Sequence, residues 1–159
     1  MNKLVAIIAM LSIVGNVFAG QSDYPTFGDP YEPNRNALED FQVALSDAAS
    51  QNKKLLIDVG GEWCRWCYIL DRFLAENNDV RQELLEVFVL LKVNYDEHDT
   101  NEALLSRFPK IKGFPAFIIV DANGGYLGKQ DTSKLEDGES YSAKTFMKFI
   151  KKWKLETKK

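Results

Sequence analysis

Cys64 and Cys67 are the only cysteines in the chain, set in Trp63-Cys64-Arg65-Trp66-Cys67 between an apolar run ending at Val59-Gly60-Gly61 and a segment of helical periodicity. Two sulfurs at this spacing interconvert between dithiol and disulfide with little backbone movement. When the first lies at a helix start, the positive end of the helix dipole and the unpaired N–H groups favour its thiolate, the nucleophilic form. Two other uses compete. A structural staple closing so short a ring gains only about 2 kcal/mol in the chain-entropy picture, against about 3 kcal/mol for a loop of about 15 residues. A metal site wants four ligands at a tetrahedral centre, and beyond the two thiolates the chain has one histidine, His98, and no third cysteine. His98 lies in the polar stretch Asp96-Glu97-His98-Asp99 and reads as a surface residue. The spacing favours redox chemistry, with the staple and the metal site left open.

Positioning the pair falls to the elements around it. Leu55-Leu56-Ile57-Asp58-Val59 is a short, nearly continuous apolar run, the mark of a strand buried on both faces. Cys64 to about Asn77 is helical, Asp79 to Glu86 adds another turn or two, and Val87 to Tyr95 reads as a second buried strand. Upstream, Leu38, Phe41, Leu45 and Ala48 or Ala49 recur at helical spacing from Ala37 onward. Downstream, Asn101 to Phe108 is a short helix ended by Pro109, and Ala116 to Val120 is a third strand. The Asn123-Gly124 turn then leads into a fourth strand around Tyr126 to Gly128. Lys129 to Tyr141 is polar and turn-rich and reads as a loop; a last helix from about Ser142 to Leu155 puts Phe146, Phe149, Ile150 and Trp153 on one face. The order predicts an α/β domain over residues 37–159, a central mixed sheet with helices on both faces.

The ends bound where such a pair would work. Lys3, the apolar stretch Leu4 to Val14 and the small-residue site Val17-Phe18-Ala19 read as a secretory signal over residues 1–19. That stretch is short for a membrane span, which takes about 20 residues, so stable membrane insertion after cleavage is not expected. Removing it leaves 140 residues and takes the net charge from −3 to −4, since Lys3 is the only charge lost. A mildly acidic chain without a basic patch gives no reason to expect nucleic acid. The basic tail, Lys148, Lys151, Lys152, Lys154, Lys158 and Lys159, suits the solvated face and C-terminal end of the last helix. Residues 20–36 carry Pro25, Pro30 and Pro33 among Tyr24, Phe27 and Tyr31 without periodicity, as an extended arm whose aromatics either pack on the domain, the favoured reading, or recruit a partner. Export, with the bacterial periplasm as the expected site, puts the cysteines in an oxidising compartment where an unassisted pair rests as a disulfide.

Asp58, the Trp63-Cys-x-x-Cys67 box, Lys92 and Gly113-Phe114-Pro115 together resemble the thioredoxin superfamily, over about Leu55 to Gly128. Within it the chain looks most similar to exported single-domain thioredoxin-like proteins and to the C-terminal domain of DsbD-type thiol:disulfide interchange proteins. The resemblance implies that Cys64 attacks and Cys67 resolves the mixed disulfide, a division the chemistry of a helix start supports. It implies that Asp58, odd in an apolar strand, is a buried acid of raised pKa that exchanges protons with Cys67. Lys92 interrupts the second apolar strand likewise, and the family's matching lysine pairs with that acid. Pro115 matches a proline held cis and facing the disulfide, beside which an extended substrate segment can add as a strand. Trp63, Arg65, Trp66 and Phe114 would then line the substrate rim, the alternative for the aromatics, Trp63 above all, being a place in the core.

Two departures bear on the direction of electron flow. Thioredoxin carries Gly-Pro between its cysteines; here the pair is Arg65-Trp66, and the bulky Phe114 precedes the proline. A guanidinium stabilises a neighbouring thiolate and makes the disulfide more oxidising, while solvent exposure screens it. The sequence thus reads as an exported, monomeric thiol:disulfide oxidoreductase without a cofactor or bound metal. It would reduce protein disulfides, with a membrane or exported redox partner supplying electrons. The alternatives are a dithiol carrier of Cu(I), the oxidase or isomerase direction of the same chemistry, and a redox-inert adaptor.

Overall fold

The computed structural model describes residues 22–155; the expected signal segment and the last four residues of the basic tail lie outside them. After an irregular arm, α1 (Ala37–Ser50) is capped by Asn36, whose side chain accepts from the N–H groups of Leu38 and Glu39. β1 (Lys54–Gly60) follows, buried along its whole length. The chain then crosses through α2 (Arg65–Glu76) and α3 (Asn78–Val87) to β2 (Phe88–Asn94), parallel to β1 and equally buried. A short α4 (Glu102–Leu105) leads to β3 (Ala116–Val120), which runs antiparallel to β1 on its other side, and β4 (Tyr126–Asp131) completes the sheet in the order β2-β1-β3-β4.

Side chains alternate across a strand, so one strand feeds two cores. Leu55, Ile57 and Val59 of β1 pack under α1 and α4 with Phe41, Ala44 and Leu104. Leu56, Leu90, Phe117 and Ile119 face the other way, onto α2, α3 and the last helix, α5 (Ala143–Leu155), where Leu70, Phe73, Leu84, Phe146 and Ile150 meet them. Asp58 falls on the same side of β1 as Leu56, beneath α2, and pairs in register with Lys92 of β2. The α/β fold with helices on both faces is as the sequence predicts. Among the described residues no helix is long and apolar enough to cross a membrane.

The segment expected as a loop, Lys129 to Tyr141, is largely ordered structure. β4 runs on to Asp131, a 3₁₀ turn spans Thr132–Leu135, and a two-stranded hairpin pairs β5 (Glu136–Asp137) with β6 (Ser140–Tyr141) before α5 (Ala143–Leu155). β4 is an edge strand with its side chains half or fully exposed, so it carries no apolar alternation to read. Buried Leu135 and Tyr141 anchor the rest to the core. The predicted helix at Asn101 to Phe108 is shorter than expected and ends in turn-like bonds from Arg107 and Phe108 to Leu104 and Leu105.

The arm packs on the domain, as its aromatics suggest. Tyr24 and Tyr31 are buried, and the Lys92 N–H donates to the Pro25 carbonyl at 2.8 Å, so the arm covers the open edge of β2.

Candidate active site

Cys64 is the N-cap of α2, and its sulfur accepts from the Cys67 N–H at 3.2 Å. The two are joined as a disulfide with Cα atoms 5.3 Å apart. Cys64 therefore sits at the positive end of the helix and Cys67 one turn inside it, the former 4% and the latter 1% exposed. The strand-to-helix turn that delivers them needs a glycine. A Cβ on Gly60 would stand 2.5 Å from the Cys67 sulfur and 2.8 Å from the Tyr31 ring, both fixed in the buried centre. Gly60→Ala should destabilise the protein by roughly 1–3 kcal/mol through overpacking, read as a lower denaturation midpoint.

Asp58 lies at the end of β1 under α2 and is 2% exposed, which excludes a strand end reaching water. Burial pushes its carboxyl up to about 7, against the pull of the Lys92 charge and a donated hydrogen bond from Tyr31. The Tyr31 hydroxyl reaches Asp58 Oδ2 at 2.9 Å; Oδ1 is buried with no hydrogen-bond partner among the described residues.

Lys92 is likewise buried, so it does not carry its head to solvent, but its partner differs from the expected one. Its ammonium pairs with Asp71 Oδ2 at 2.7 Å and donates to the Asp29 carbonyl at 2.7 Å, acting on Asp58 only through its field. The same ammonium stands 4.3 Å from the centroid of the Tyr31 ring. The reason is reach: a lysine on the α2 face of β2 extends past its in-register neighbour to the helix above. Burial raises the Asp71 carboxyl too, although Lys92 opposes it.

Phe114-Pro115 is a cis peptide. Phe114 packs against the cluster of Tyr31, Cys64 and Cys67, and the buried Thr132 hydroxyl donates to the Pro115 carbonyl at 2.6 Å. Trp63 is 56% exposed, edge-on to Phe114 at 5.2 Å between centroids, and its indole N–H donates to the Tyr95 carbonyl at 2.8 Å. It is thus rim rather than core. Trp66 is half-buried against Tyr141, and Arg65 is exposed. The structure thus brings the nine sequence-predicted residues to one end of the sheet.

Three residues that sequence reasoning missed complete the site. Tyr31 comes from the arm. Asp71 follows Cys67 by four positions on the buried stripe of α2, where an acid among Cys67, Leu70 and Leu74 was a readable anomaly. Glu62 accepts from the Tyr31 N–H at 2.7 Å and from the Tyr68 hydroxyl, tying the arm to the turn before the cysteines. Among the described residues no group of three or more histidine, cysteine, aspartate or glutamate side chains is arranged to hold a metal.

A helix-capping disulfide, a buried acid beneath it and a cis-proline beside it on a mixed sheet define a redox-type α/β domain. The chain belongs to the thioredoxin-like family, whose model matches residues 36–122. It is 26% identical over 145 residues to the thiol:disulfide interchange protein DsbD of Colwellia psychrerythraea, covering 86% of this chain and 24% of that protein. Against DsbD of Actinobacillus pleuropneumoniae it is 29% identical over 91 residues, covering 57% of this chain and 15% of that one. The chain thus spans at most about a quarter of the length of these relatives. Among solved structures, the disulphide isomerase from Xylella fastidiosa Temecula1 superposes with a TM-score of 0.66 at 24% identity, covering 77% of this chain and 95% of that one. A thioredoxin from Thermus thermophilus gives 0.56 at 20%, with 74% and 86% covered; both likenesses concern the fold.

Proposed function

We propose that this protein is an exported thiol:disulfide oxidoreductase that cycles Cys64 and Cys67 and reduces disulfides in other proteins. The observation that carries it is a disulfide at the start of α2 whose inner sulfur packs with Tyr31, the residue that donates to a buried carboxyl poised near neutrality. In the reduced protein the Cys64 thiolate attacks one sulfur of a substrate disulfide. The new S–S bond forms as the old one breaks, and one substrate thiolate leaves and takes a proton from water. The Cys67 thiol then gives its proton to the Asp58 carboxylate. The resulting thiolate attacks the Cys64 sulfur and expels the second substrate thiolate. Two electrons pass to the substrate, the protein is left as the disulfide, and Asp58 returns its proton to solvent.

Trp63 and Phe114 form an apolar rim at which a substrate segment would dock, and a groove of about 450 Å³ runs on past Pro115 between Ile111 and Lys129. The signal read over residues 1–19 supports export to the periplasm, and the similarity to DsbD proteins supports service by a redox partner that supplies electrons. The domain would then be residues 37–159, working as a monomer.

Insulin reduction by dithiothreitol tests this. Catalytic amounts of the protein should speed it well above the dithiothreitol background, and a rate equal to background would overturn the reading. Equilibration with glutathione gives the direction: a potential near about −270 mV supports reduction, and one near about −120 mV overturns it in favour of oxidation.

A further inference from the structure

Tyr31 lies on the arm, outside the stretch that matches the family, yet its side chain is built into the redox centre. It is 3% exposed, its hydroxyl donates to Asp58 Oδ2 at 2.9 Å, and its ring supports the Lys92 ammonium. A Cβ at Gly60 would stand 2.9 Å from the hydroxyl and 2.5 Å from the Cys67 sulfur, so the phenol that holds the carboxyl also lies beside the inner sulfur. The arm is pinned just before this residue, by Lys92 to the Asp29 carbonyl, and at its own backbone, by Glu62 to the Tyr31 N–H. A phenol held this firmly fixes which carboxyl oxygen is engaged and which is left over. Oδ2 is taken; Oδ1, without a partner among the described residues, is free to receive the proton.

We propose that Tyr31 is a positioning residue of the redox centre, supplied by the arm, which holds Asp58 so that Oδ1 takes the Cys67 proton. This rests on the function proposed above. The other charged groups acting on Asp58 are Lys92 from β2 and Asp71 from α2. Tyr141 of β6 feels the Asp58 charge, and Glu62 and Asp29 act on Asp71. All of these stay in place in a Tyr31→Phe variant, which also keeps the ring beneath Lys92.

The test has two readouts. The first is the ¹³C titration of the Asp58 carboxyl in the oxidised protein, which needs no turnover. Removing a donor to the carboxylate makes ionisation harder, so the midpoint in Tyr31→Phe should rise by about one pH unit. Incorporating 3-fluorotyrosine at position 31, a stronger donor of nearly the same shape, should move it down; this also serves if the phenylalanine variant does not fold. The second is the pH profile of single-turnover disulfide reduction. Tyr31→Phe should be about fivefold slower at pH 7 and converge on the parent at high pH, where Cys67 ionises unaided. A loss equal at every pH marks a merely structural role and overturns the proposal, as does an Asp58 midpoint that neither replacement moves. A parent protein without turnover overturns the function proposed above instead, while the titration still judges the hold on Asp58.

Discussion

Cys67→Ser, mixed in its reduced form with disulfide-bearing proteins, will accumulate covalent adducts on Cys64 that survive non-reducing electrophoresis; Cys64→Ser will accumulate none. The asymmetry follows from the positions of the sulfurs. Cys64 occupies the N-cap, where the helix dipole and the Cys67 N–H favour its thiolate, and the exposed Trp63 beside it marks the approach. Cys67 lies a turn deeper, closed in by Gly60 and Tyr31. In the parent the mixed disulfide should be short-lived, because the proposed second attack is intramolecular and needs only a proton transfer to begin. Without Cys67 that attack must come from an external thiol, and the adduct's lifetime should lengthen by several orders of magnitude. Insulin reduction should fall to background in Cys64→Ser. Equal trapping by the two variants, or by neither, would overturn the assigned order of attack.

Much of this site could be read before any fold was known, because its central members are anomalies against a strong local pattern. Asp58 and Lys92 interrupt apolar runs, and the cysteine spacing stands alone in the chain. The strands and helices were legible for the same reason: each has one period, and apart from the terminal Lys54 of β1 and Asn94 of β2 those two are the only polar residues of the buried strands. What escaped depends on contacts between distant elements. Tyr31 meets Asp58 across 27 positions from an arm with no periodicity, so nothing local distinguishes it from Tyr24, which bonds instead to Asp47. The pairing of Lys92 with Asp58 is what the family resemblance implies, whereas a long side chain chooses among everything within its reach, and here it takes Asp71. Edge strand β4 was cut short because half its surface faces water and its residues are chosen for solubility.

Asp58→Asn should make the oxidised protein more stable at pH 8 while making it a slower reductant at pH 7. In the unfolded chain the carboxyl titrates at its ordinary value of 3.8; in the folded protein burial holds it at about 7. Between these values the native state keeps a proton that the unfolded state has released, so stability falls as pH rises through the window and levels off above it. The asparagine does not titrate, and its side chain still offers Tyr31 an oxygen acceptor, so it escapes that loss. At about 1.4 kcal/mol per pH unit, the variant's advantage over the parent should grow by roughly 2–3 kcal/mol between pH 5 and pH 8, measured by guanidinium denaturation. Asp71 remains in both proteins with its pair to Lys92, so its own raised carboxyl cancels from the comparison. The cost appears in catalysis. Without Asp58 as the proposed base, resolution at pH 7 should slow by about a hundredfold, the lower range for a positioned proton acceptor, and recover as pH approaches the thiol's own ionisation. A stability difference that stays flat across this pH range would show that Asp58 titrates normally in the folded protein. The buried carboxyl would then not be the acceptor for the Cys67 proton.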